Sequence, residues 1–89
     1  MRQPSTYKVR WDKRAYRQLM ELPRDIQERI TEKVLALKND PRSQGKPLAG
    51  GFKGAYRLRV GDYRVVFEVE EKPSRTVWLT RVGDRKNIY

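Results

Sequence analysis

Two alternating runs, Ala55–Val60 and Tyr63–Glu70, are separated by Gly61-Asp62. Strict alternation is the period of a strand, whose successive side chains leave on opposite faces. A two-residue break that begins with glycine is a tight hairpin turn, so the chain reverses there on itself. The resulting hairpin has two unlike faces. Tyr56, Leu58, Val60, Tyr63, Val65, Phe67 and Val69 share one, and Arg57, Arg59 and Arg64 share the other with Val66, Glu68 and Glu70. The apolar face needs a cover that keeps water away. The arginine face needs none and is expected to form the open, concave platform of a twisted sheet.

The preceding half of the chain supplies the cover. Tyr7, Val9 and Trp11 alternate with Lys8 and Arg10 as a first strand, and Asp12 follows in the N-cap position of a helix. Lys13 to Leu22 reads as that helix, with Ala15, Leu19 and Leu22 apolar and Tyr16 and Met20 beside them. Pro23 ends it, because proline lacks an N–H and disfavours helix in the residue before it. Ile26, Ile30, Val34 and Leu37 then form an apolar stripe from Arg24 to Lys38, stopped by Asn39-Asp40-Pro41. The short joint predicts an antiparallel helix hairpin. Arg42 to Gly54, with four glycines and a proline, reads as a loop whose charges, Arg42, Lys46 and Lys53, are all cationic. Glu71 to Arg75 is a second turn, Thr76–Val82 a last strand, and Asp84 to Tyr89 a short tail. The expected class is α+β, in the order β-α-α-β-β-β: a helix hairpin on one face of a small antiparallel sheet whose basic face is open. One domain spanning 1–89 is the natural reading.

Lysine and arginine number 21 against 11 acidic residues, a net charge of +10. That imbalance points to a polyanionic partner, nucleic acid first and an acidic protein second. The chain has no cysteine and no histidine. Thiol chemistry, the usual zinc ligands and a histidine acid or base are therefore excluded, and neither a metal nor another cofactor is expected. No apolar run is long enough to span a bilayer, and residues 1–6 lack the apolar core of a signal peptide, so a cytoplasmic location is expected.

Arg57, Arg59 and Arg64 are the leading candidate site. The turn returns Arg64 beside the other two, and three neighbouring guanidinium groups repel one another unless an anion lies between them. Arginine suits phosphate because its planar fork donates two parallel hydrogen bonds. Lys46, Lys53, Arg85 and Lys86 are expected to converge on the same face and bind RNA. Tyr89 can stack on a base or bond a phosphate or ribose. Trp11 is expected in the core, and Trp78, opposite in parity to Val77 and Leu79, on the open face. Arg64 and Arg85 are expected to be exposed.

These residues resemble a known family. Leu48-Ala49-Gly50, followed by Gly54-Ala55-Tyr56-Arg57-Leu58-Arg59-Val60-Gly61-Asp62-Tyr63-Arg64-Val65-Val66-Phe67, is similar to the signature of the RelE/ParE toxin superfamily. Val82-Gly83-Asp84-Arg85-Lys86-Asn87-Ile88-Tyr89 resembles its ending, an arginine followed shortly by a tyrosine. The resemblance implies a toxin of a type II toxin–antitoxin system, with a cognate antitoxin as partner. Its RelE branch cleaves mRNA in the ribosomal A site without a metal, and its ParE branch inhibits DNA gyrase by protein binding. A third alternative is an inactive RNA-binding relative. The family's positions carry over onto Arg57, Arg59, Arg64, Arg85 and Tyr89, which favours the RelE-type endoribonuclease. Several relatives have lysine where Arg57 and Arg59 stand, and histidine where Asp84 stands. Arginine stays protonated at ordinary pH and is a poor base, so Arg57 and Arg59 are cast as charge stabilisers. Lys53 and Lys86 are the candidates left for the base.

Overall fold

In a computed structural model, the structure describes residues 6–48 and 54–84. Strand β1 (Lys8–Trp11) leads into helices α1 (Lys13–Met20) and α2 (Arg24–Leu35), the latter tightening into a 3₁₀ turn at Ala36–Lys38. Helix α3 (Pro41–Gln44), strand β2 (Lys46–Pro47) and the meander β3 (Ala55–Val60), β4 (Tyr63–Glu70) and β5 (Thr76–Asp84) follow. The five strands form one sheet in the order β1-β5-β4-β3-β2.

Local chemistry accounts for the helices. Asp12 caps α1, its Oδ1 accepting the Ala15 N–H at 2.8 Å, a contact of the kind that contributes about 1 kcal/mol. Helix α1 ends at Met20, two residues before the expected limit, and Gln27 fastens the joint by donating from Nε2 to the Leu22 carbonyl at 2.9 Å. Helix α1 lies against β5 and α2 against β3, so the hairpin of helices covers one face of the sheet. Phe67, Ile30, Leu37, Leu79, Val34, Val65 and Val77 are fully buried between them. Trp11 packs against this core, half-buried. Among the described residues, no helix is long and apolar enough to cross a membrane.

Two parts differ from the sequence expectation. The sheet is mixed: β1 runs parallel to β5, while the other pairs are antiparallel. The helix hairpin is the reason. It returns the chain to the end of the sheet where β1 began, where the Tyr7 N–H meets the Lys38 carbonyl at 2.9 Å. Strand β3 therefore starts out in the direction of β1, and β5, two reversals later, does the same. Second, the segment read as a loop from Arg42 contains α3 and β2. Pro41 opens α3, a position that uses no N–H. Lys46 then pairs with Arg57 and Pro47 with Tyr56, adding a short edge strand. Gly45 permits this closeness: a Cβ there would stand 2.7 Å from the Phe67 ring and 2.9 Å from the Arg57 carbonyl oxygen.

Candidate nucleic-acid interface

The β3–β4 register places Arg59 directly opposite Arg64, and Arg57 opposite Val66. The turn between them carries Gly61 at φ 60°, and among the described residues none other than glycine has positive φ, which fits a hairpin turn with glycine first. Lys46 faces Arg57 from β2 and so joins the same face. Gly83 is the neighbour of Arg64 on β5 and, having no side chain, leaves that arginine room.

Arg59 is exposed and Arg57 half-buried, but Arg64 is only 7% exposed, contrary to the expectation of an accessible side chain. Val66 beside it is equally buried. Arg64 is thus the buried cation of the basic face, with the exposed Arg59 opposite it on β3. The Arg64 guanidinium donates to the Tyr63 carbonyl at 3.3 Å. Among the described residues, none of Lys46, Arg57, Arg59 and Arg64 forms an ion pair. A buried, unneutralised cation is costly to maintain, and an anion bound beside it would relieve that cost.

The sequence reading missed Arg81. Val77 and Leu79 face the core, and simple alternation would send Arg81 after them. A bulge intervenes: Phe67 pairs with Leu79 and Val66 with Arg81, leaving Thr80 as the extra residue. Thr80 Oγ1 donates to the Val66 carbonyl at 3.2 Å. Val82 then takes the core position and exposed Arg81 joins the basic face next to Val66. The slip of apolar parity from Leu79 to Val82 was the available signal.

Other aromatic and basic residues have different surroundings. Trp78 is on the open face as expected, half-buried, with Nε1 donating to Glu70 Oε1 at 3.2 Å and the Arg10 guanidinium 6.0 Å from its ring. Tyr7 is buried, and its hydroxyl donates to Glu71 Oε2 at 2.8 Å. Arg42 leaves the basic set altogether, bound to the same Glu71 oxygen at 2.7 Å. Hydrogen bonds from Tyr7 and Arg42, with a lesser one from Arg75, hold the Glu71 carboxyl at about 2, below its usual 4.5, against the opposing effect of desolvation. The Arg42 guanidinium is held above its usual value by its bonds to Glu71 and Tyr7. Lys53, Arg85, Lys86 and Tyr89 lie outside the described residues. No group of three or more acidic side chains among the described residues could hold a metal ion.

Residues 9–89 match the family described as the ParE toxin of type II toxin–antitoxin system, parDE. The chain belongs to the RelE/ParE toxin superfamily. Within it, the chain is 33% identical to toxin RelG of Mycobacterium tuberculosis over 84 residues, which cover 93% of this chain and 95% of that protein. It is 36% identical to toxin RelE of the same organism over 76 residues, 84% of this chain and 77% of the relative. The fold superposes on a chain of the M. tuberculosis toxin–antitoxin complex RelBE2 with TM-score 0.82 and 30% identity, covering 96% of this chain and 98% of the other. A chain of the intact Escherichia coli RelBE complex gives TM-score 0.75 and 26% identity, over 88% and 95%. The RelE/ParE assignment thus rests on sequence and fold over nearly the whole chain.

Proposed function

We propose that this toxin is a metal-independent endoribonuclease that cleaves mRNA in the ribosomal A site. The observation that carries the reading is Arg64: a buried arginine that pairs with no carboxylate among the described residues, on a sheet face that also holds Arg57, Arg59, Arg81 and Lys46. The reaction is attack of a ribose 2′-OH on the adjacent phosphate. The new O–P bond closes a 2′,3′-cyclic phosphate, the bond to the 5′ oxygen breaks, and that oxygen leaves as a 5′-OH after taking a proton. Arg64 holds the scissile phosphate. Arg57 and Arg59 meet the extra negative charge of the phosphorane, as preorganised donors do for developing anions. By resemblance, Arg85 adds a further cation and Tyr89 orients the base or the nucleophile. Lys53 and Lys86 bind RNA and are the groups available to move protons.

A cognate antitoxin is the proposed protein partner. The solved relatives include toxin–antitoxin complexes, and the cationic sheet face here suits an acidic segment that covers it. The cytoplasm, where ribosomes and message meet, is the proposed location. The match to the ParE description supports a second reading, inhibition of DNA gyrase by protein binding, which a supercoiling assay separates from the first.

The test is to add the purified toxin to ribosomes translating a defined message. Cleaved products should carry 2′,3′-cyclic phosphate and 5′-OH ends at A-site codons. Arrest of translation with intact message would sink the ribonuclease reading. Arg64→Ala should lower the cleavage rate by about 10²–10³-fold, the usual effect of losing one donor to a developing anion.

A further inference from the structure

A cleft of about 550 Å³ lies between α2 and the tip of the β3–β4 hairpin. Arg29, Glu32, Lys33 and Ala36 line it from the helix, and Arg59, Val60 and Gly61 from the hairpin. Three cations thus face one carboxylate. None of the four makes an ion pair or side-chain hydrogen bond among the described residues. The arginine of the helix reaches the turn itself: Arg29 Nη2 is 3.5 Å from the place where a Cβ on Gly61 would stand.

The edge of the sheet opens into this cleft. Strand β2 pairs with β3 only at Tyr56 and Arg57, so β3 from Leu58 to Val60 is the sheet edge. In an antiparallel hairpin closed by two residues, Val60 and Tyr63 exchange their backbone bonds, and alternation then turns the N–H of Arg59 outward. Arg59 therefore presents both a backbone donor and a guanidinium at this edge. It also stands opposite Arg64, which makes it the link between the cleft and the buried arginine.

We propose that the cleft formed by Arg29, Lys33 and Arg59 is a second phosphate site, which receives a neighbouring phosphodiester of the RNA strand whose scissile phosphate rests on Arg64. The proposal rests on the RNA reading but not on cleavage. Two guanidinium groups and an ammonium around one concavity match the oxygens of a phosphodiester, and arginine forks favour that geometry. The shared Arg59 favours a strand running continuously from Arg64 around the hairpin edge over a separate ligand.

The experiment measures binding of the full-length toxin to a fluorescein-labelled, fully 2′-O-methylated oligonucleotide, which has no nucleophile to react. Affinity is read across a salt series for the native protein, for Arg29→Ala/Lys33→Ala, and for Arg14→Ala/Arg17→Ala. The last pair removes two exposed cations from α1, on the covered side of the sheet. Loss of one or two phosphate contacts should flatten the slope of log K against log[salt] by about 0.7–1.4 in the cleft variant, since each contact on a single strand contributes about 0.7. Low-salt affinity should fall by about tenfold, and the α1 variant should match the native slope. An unchanged slope in the cleft variant overturns the proposal, and so does an equal drop in the α1 variant. A cleft variant that keeps its RNA slope but loses affinity for an acidic antitoxin segment assigns the cleft to the protein partner and also overturns it. If the native toxin fails to cut message while the cleft variant still loses slope, the second phosphate site stands and the ribonuclease reading falls.

Discussion

At the Glu70–Thr76 end of the sheet, Arg42 and Arg75 share Glu71, and Tyr7 completes the cluster with its hydroxyl on the carboxylate and its ring 4.8 Å beneath the Arg75 guanidinium. Toward the Gly61 end, Arg57, Arg59 and Arg64 lie close together and pair with no carboxylate among the described residues, and Arg59 faces Arg64 directly across two strands. The same residue type is neutralised in one region and left unneutralised in the other. Matched cations tie segments together: Arg42 fastens α3 to the β4–β5 turn and to the start of β1. Unmatched cations destabilise the strands that carry them, because like charges directly opposite repel. Their placement makes sense when an external anion supplies the missing charge.

Arg64→Ala carries the largest expected effect on this contrast, the 10²–10³-fold loss of cleavage given above. Arg42→Ala, at the matched end, should change stability and leave the rate within about twofold, since no interaction with the reacting phosphate is removed. Comparable rate losses in both variants would erase the distinction. Next in size is Gly45→Ala. Gly45 stands between the regions, three residues after Arg42 and one before Lys46, where a Cβ meets the Phe67 ring and the Arg57 carbonyl. Overpacking of this kind costs about 1–3 kcal/mol, measured by urea unfolding. Because the clash lies at the seam of β2 and β3, RNA affinity should fall along with stability.

Much of this contrast was legible in the sequence, and the remainder fails for definable reasons. The two faces of the hairpin, the cap at Asp12 and the stripe from Ile26 to Leu37 are local patterns, each set by residues a few positions apart, and they gave the α+β class. Arg57, Arg59 and Lys46 fall on the expected face for the same reason. The burial of Arg64 was hidden, because depth depends on how neighbouring strands curve and on a glycine at position 83, far along the chain. The Tyr7–Arg42–Glu71 cluster joins residues 35 and 64 positions apart, so no local pattern separates Arg42 from the other cations of its segment. The parallel pairing of β1 followed from counting chain reversals. The place of Arg81 followed from one bulge, which the spacing of Val77, Leu79 and Val82 already carried.

A smaller effect has the opposite sign. Arg59→Glu replaces a repelling cross-strand pair with an attracting one, and should raise stability by about 0.2–1 kcal/mol. It should also weaken RNA binding, since it places a carboxylate in the path of the phosphates. A variant that binds less and unfolds later would show that stability is sacrificed at this end for function. A variant that unfolds earlier would show that Arg59 holds the fold together despite its like-charged neighbour.

The smallest effect separates the regions by pH. Glu71 titrates at about 2 in the folded protein against 4.5 ordinarily, so its folded-state value is depressed. A depressed carboxyl stabilises the fold most when ionised in both states. Its contribution is complete above pH 4.5 and disappears as pH falls through about 2. Thermal unfolding of native protein and Glu71→Gln should therefore differ by a constant amount from pH 7 down to about 4.5, then converge toward pH 2. Glu71 is partly exposed, so added salt should shrink the difference. At the other end the same salt should stabilise the native fold, because it screens Arg59 from Arg64. Opposite salt responses of the two regions, with the acid-sensitive part confined to Glu71, are what matched and unmatched arginines require. A Glu71→Gln difference that persists unchanged to pH 2 would place the origin of that stability outside the carboxylate's charge.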